Sequence, residues 1–110
     1  MSVREDIAAA LSTVDGVTGY AYRPDTARSG DGWALLSRLE RDAATTFMVT
    51  WRVLVLLSPD ERTASHWIDA HATLLFEALE PVAFVGSFEP VEVPIGGSTQ
   101  LALQIMLRRE

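Results

Sequence analysis

Three observations predict an α+β domain: a mostly antiparallel sheet of four to five strands with two helices packed on it. Two segments place apolar residues at helical spacing and carry helix-start signals, while others alternate apolar and polar residues with a period of two. The segments follow one another as α-β-β-β-α-β-β. Hairpins separated by helices favour an antiparallel sheet over a parallel one.

The first helix opens on Ser2 and Glu5, an S-x-x-E capping box, and Val3, Ile7, Leu11 and Val14 form its apolar stripe. Asp15-Gly16 stops it. A short strand is expected around Thr18–Arg23, with Tyr20 and Tyr22 on one face. The polar stretch from Pro24 to Gly32 reads as a mobile loop. Trp33 to about Arg41 reads as a strand, turned at Asp42-Ala43-Ala44 into the clearest strand of the chain, Thr45–Leu57. There Phe47, Val49, Trp51, Val53, Val55 and Leu57 form one apolar face. Their alternates begin polar at Thr46, Thr50 and Arg52 and finish apolar at Leu54 and Leu56. That pattern predicts a strand half-buried at its start and buried on both faces at its end.

Ser58-Pro59-Asp60-Glu61 reads as a helix start with Ser58 as the N-cap, Pro59 at the first helical position and Glu61 closing a capping box. The helix runs to about Glu80, before Pro81. Ala64, Trp67, Ile68, His71, Leu74, Leu75, Ala78 and Leu79 share one stripe, and His66, Asp69, Thr73, Glu77 and Glu80 lie opposite. Two strands close the chain: Val82–Val93, broken by Gly86 and Pro90, and Thr99–Arg108. Pro90 and Pro94 suit an edge strand.

The 110 residues fit one domain, 1–110, and 48% apolar residues support a packed core. No apolar run approaches the roughly 20 residues that span a bilayer, so no membrane partner is expected. Met1 to Asp6 lacks the layout of a signal peptide, which predicts a cytoplasmic chain. Absence of cysteine excludes disulfides and thiolate metal sites. All nine basic residues are arginine, which reads as the coding bias of a high-GC host. They are scattered, and the net charge is −6, so tight nucleic-acid binding is disfavoured.

No residue pattern predicts an enzyme, a cofactor or a metal. The only histidines, His66 and His71, are five residues apart on one helix and cannot face one ion together. His71 reads as a core or interface side chain, and His66 as solvated. No G-x-S-x-G elbow, Walker or Rossmann signature occurs. Gly30-Asp31-Gly32 and Gly96-Gly97 read as turn glycines. Trp51 and Trp67 belong to core series. Trp33 either tucks beneath the preceding loop or joins an exposed apolar surface, and Phe76 stands off its helix stripe.

The pattern as a whole resembles tail terminator proteins of long-tailed actinobacteriophages. The likeness rests on the opening Met-Ser-Val-Arg-Glu-Asp, on Gly16-Val17-Thr18-Gly19-Tyr20 before Tyr22-Arg23-Pro24, and on Gly30-Asp31-Gly32-Trp33. It continues in Thr50-Trp51-Arg52-Val53-Leu54-Val55, in Asp60-Glu61-Arg62 through Trp67-Ile68-Asp69, and in the final Leu107-Arg108-Arg109-Glu110. It covers nearly the whole chain without a catalytic motif.

The resemblance implies a structural subunit of the virion tail and neck, assembled in the host cytoplasm as a homo-hexameric ring. Such a ring caps the major tail tube protein, ends tube growth and meets the head–tail connector, while DNA passes through the lumen without specific binding. Other head–tail joining subunits, such as head-closure or tail-completion proteins, share this size and symmetry. A small host-encoded regulatory or ligand-binding α+β protein is the alternative from another class, and a small hydrolase is a third.

A ring requires two different patches that meet on neighbouring copies. Trp33, Leu54, Leu56 and Phe76 are the candidate subunit or tube contacts. Arg28 and Asp31 are candidates in a loop expected to order on contact. Phe76→Asp is expected to weaken assembly, read by light scattering, while leaving the monomer's melting temperature near wild type. Early melting or normal assembly would remove Phe76 from the interface.

Overall fold

A computed structural model describes residues 2–41 and 46–109. The elements are α1 (Val3–Ser12), β1 (Thr18–Tyr20), β2 (Asp31–Arg41), β3 (Phe47–Leu56), α2 (Glu61–Leu79), β4 (Phe84–Ile95) and β5 (Ser98–Arg109). The turn expected at Asp42–Ala44 lies outside the described residues. One sheet holds all five strands in the order β1-β2-β3-β5-β4. β1 runs parallel to β2, and every other pair is antiparallel. The α+β architecture and its element order are those expected.

Local chemistry sets the helix ends. The Ser2 hydroxyl accepts from the Glu5 N–H at 3.2 Å and donates to the Glu5 carboxylate at 3.0 Å. α1 ends earlier than its apolar stripe suggests. The N–H groups of Thr13 and Val14 bond three residues back, to Ala10 and Leu11, and the Thr13 hydroxyl donates to the Ala10 carbonyl at 2.6 Å. Gly16, at φ 84°, then turns the chain. β1 is only three residues long. Gly19 lies so close to the Ala8 carbonyl of α1 that a side chain there would collide with it.

α2 starts two residues later than expected from Ser58. Its N-cap is Asp60, whose carboxylate accepts from the Thr63 N–H at 3.0 Å and the Thr63 hydroxyl at 2.7 Å. Ser58 instead accepts from the Asp60 N–H at 3.2 Å, fixing the turn that presents the cap. These donors, the Thr63 side chain first, hold the Asp60 carboxyl below its ordinary value of 3.8.

Both helices pack on one face of the sheet, the front. Ile7, Leu11, Ala64, Leu75 and Leu79 meet Val53, Val55, Leu103, Ile105 and Leu107 in the main core. Leu74, expected within the α2 stripe, is instead exposed. α1 stops at Ser12, and the turn that follows it faces Leu74 only across an open groove. On the back face a smaller cluster joins Trp33, Leu54, Leu56, Val93 and Ala102. β3 is thus half-buried at its start and buried on both faces at its end, as its pattern predicts.

β4 runs unbroken through Pro90, with a bulge at Gly86 between Val85 and Ser87. It is the outermost strand, so Pro90 and Pro94 forfeit no ladder bond on the solvent side. Gly96 and Gly97, at φ 54° and 86°, form the two-residue turn into β5.

Asp60→Ala is expected to lower the melting temperature at neutral pH. A depressed carboxylate stabilises fully above its ordinary value and loses that contribution as the pH falls through its folded-state value. Melts from about pH 7 to about pH 2 should therefore show the gap to wild type closing in acid. A gap constant with pH would mean that the ionised form contributes nothing to the cap.

Candidate interaction surface

The segment between β1 and β2, expected to be a mobile loop, is tied to the sheet at several points. The Arg23 guanidinium donates to the Pro94 carbonyl at 2.8 Å, the Ser29 hydroxyl to the Leu57 carbonyl at 3.2 Å, and the Gly30 N–H to the Leu56 carbonyl at 2.7 Å. The Asp31 carboxylate accepts from the Arg28 N–H at 2.9 Å, and the Asp31 N–H returns a bond to the Arg28 carbonyl. Ala27 packs on the back-face cluster, and Arg23 stands 5.6 Å from the Trp33 ring centroid. Segment 21–30 is therefore the lid of the second core.

That lid withdraws four of the expected contact residues. Trp33, Leu54 and Leu56 are 1%, 4% and 1% exposed, and Asp31 is buried as the clasp of the loop. Of the two readings of Trp33, the structure shows the one beneath the loop. Arg28 remains exposed at the loop surface, and Phe76 remains 41% exposed on α2. His71 is half-buried, its ring stacked on Trp67 at 4.1 Å with Nδ1–H donating to the Trp67 carbonyl at 2.8 Å. His66 is exposed. Among the described residues, no group of three His, Asp or Glu side chains is placed to hold a metal ion.

The larger apolar surface lies where the sheet outruns its cover. β1 pairs only with Asp31 to Trp33, so among the described residues the outer edge of β2 has no strand neighbour from Ala34 onward. The Arg4 guanidinium takes the Ala34 carbonyl at 2.8 Å and lies 4.5 Å and 5.1 Å from the ring centroids of Tyr22 and Trp51. Beyond this latch β2 continues beside β3, which stays paired with β5 as far as Val49. Glu40, Arg41, Phe47 and Met48 run past the end of β5, and this end of the β2–β3 hairpin forms an arm. A bulge between Leu36 and Arg38 shifts the alternation by one residue, so Leu36, Leu39 and Arg41 all share the front face with Phe47, Val49 and Trp51. Leu36, Leu39 and Phe47 are 52%, 58% and 50% exposed.

Sequence reasoning assigned Phe47 to a core face and gave Leu36 and Leu39 no role. The available signal was the three-residue spacing of those leucines inside a strand. It conflicts with a period of two unless a bulge intervenes, and it then places both on one surface.

Comparison with protein-family models, with curated proteins and with solved structures found no match. The surface must be interpreted from its own chemistry.

Replacing Leu36, Leu39 and Phe47 by threonine, which keeps strand propensity, is expected to change stability by about 0.5 kcal/mol or less per site. Trp33→Ala is expected to cost about 3–5 kcal/mol. Urea melts of the variants check the contrast. A large loss from the arm substitutions would mean that the arm supports the core.

Proposed function

We propose that this chain is a structural subunit of a phage tail terminator, forming a ring that caps the tail tube, ends its polymerisation and joins the tail to the head. The observation that supports this best is the projecting arm. Leu36, Leu39 and Phe47 share its front face, and each is about half exposed and outside both cores. Surfaces of this kind mark contacts with other protein.

The arginines agree with a lumen through which DNA slides without specific binding. Arg4 and Arg23 are engaged with carbonyls and aromatic rings, Arg38 pairs with Glu40 at 3.1 Å, and Arg109 lies 3.8 Å from Asp6. Four of the nine arginines are thus engaged within the chain, and the net charge of −6 repels phosphate. No helix among the described residues is long and apolar enough to cross a membrane. The resemblance of pattern in the sequence supplies the specific role. The arm alone would equally serve a head-closure or tail-completion subunit.

Light scattering over a range of concentrations, combined with co-sedimentation, tests the proposal. The expected result is a mass near six subunits and pelleting with purified tail tubes. Pelleting only with connector-bearing heads transfers the chain to the head side of the joint. A monomer that pellets with neither overturns the reading.

A further inference from the structure

The arm has a chemical complement elsewhere on the same chain. Where α1 gives way to its following turn, Thr13, Val14 and Asp15 face Leu74, Glu77 and Ala78 of α2 across an open groove of about 470 Å³. Its apolar surface is chiefly the exposed Leu74 with the half-buried Ala78, and Val14, itself buried in the main core, lies at its floor. Its polar rim carries two carboxylates, Asp15 and Glu77. The front face of the arm offers the reverse pattern, apolar Leu39 and Phe47 beside the cation of Arg41.

One copy cannot bring the two together. The groove's Asp15 precedes Gly16, which abuts Gly30 at the start of β2, and Thr18 pairs with Asp31. Leu39 lies eight residues further along β2, roughly 26 Å away at the usual strand rise. β2 is fixed by its ladder with β3, and β3 by its ladder with β5, so the arm cannot fold back onto the groove. The molecule is 47 Å long, with the arm projecting from the end of the sheet opposite to Asp15.

We propose that the arm of one copy seats in the α1–α2 groove of a second copy, Leu39 and Phe47 against Leu74 and Ala78, and Arg41 facing Asp15 and Glu77. The contact is heterologous: each copy carries one arm and one groove, and neither patch is self-complementary. Repetition of such a contact produces a closed ring or an open filament rather than a two-fold dimer. The proposal rests on the ring reading above for closure, and on the charges and apolar surfaces alone for the contact itself.

The chain has no cysteine, so an introduced pair reports its own contacts. Leu39→Cys and Leu74→Cys are both at exposed positions. Oxidation of the double variant is expected to give a ladder of covalent multimers on a non-reducing gel, while each single variant stays monomeric. Disulfide dimers from Leu39→Cys alone would show arm-to-arm pairing and overturn the proposal. A charge swap provides a second readout. Arg41→Glu and Glu77→Arg should each weaken association about tenfold, the loss of one close charge pair, and the two together should restore it.

No ladder and no restoration would overturn the contact. If the wild-type mass is then still near six subunits, the ring survives with a different interface. If the wild type is monomeric and pellets with neither tubes nor heads, both readings fall. A ladder from a chain that does not pellet with tail tubes would keep the contact and overturn the tail function.

Discussion

Burial of β3 on both faces from Val53 to Leu56, continued by Leu57, is the constraint around which the rest of the chain is arranged. A strand in that position requires hydrogen-bonding neighbours on both sides, supplied by β2 and β5, and apolar cover above and below. The front cover is a helix pair. The back cover is thinner, a segment without regular structure stretched over Trp33, Leu54 and Leu56. Such a segment can lie on an apolar face only if its polar backbone finds partners. The bonds to the Leu56, Leu57 and Pro94 region, together with the Asp31 clasp, provide them.

The same constraint explains where the sheet is left bare. Two helices and one loop cover the half of the sheet that contains the start of β2 and the end of β3. Neither reaches the hairpin end. Leu36, Leu39 and Phe47 are therefore exposed because the cover stops, and the Arg4 latch on Ala34 and Trp51 marks its boundary. The two edges of the sheet are treated differently. β4 carries prolines that withhold donors, which discourages edge-to-edge pairing. β2 carries no such block beyond its short pairing with β1, and the apolar face beside it gives the arm a surface suited to another chain.

Electrostatics follows the same division. Arg4, Arg23 and Arg109, in the body of the fold, are engaged with carbonyls, rings and a carboxylate of the chain itself. Arg41 stands with the apolar arm, and the carboxylates of Asp15 and Glu77 border a groove toward the opposite end. A polar distribution of this kind favours head-to-tail association over symmetric pairing, because like patches repel and unlike patches attract.

The sequence alone determined the element order, the central strand with its change from one buried face to two, the edge position of the proline-bearing strand and the capped start of α1 at Ser2. Each is a local property of side-chain spacing. Tertiary structure decided the rest. The α2 cap moved from Ser58 to Asp60 because both side chains can accept from a backbone N–H and only the geometry of the turn selects between them. Trp33 became interior because the loop found carbonyl partners more than twenty residues away. Phe47 and Leu74, alike in pattern to their buried neighbours, became surface because the packing elements ended before reaching them. Apolar spacing states which residues share a face. Whether that face meets the core, a lid or another molecule depends on the lengths of elements distant in the chain.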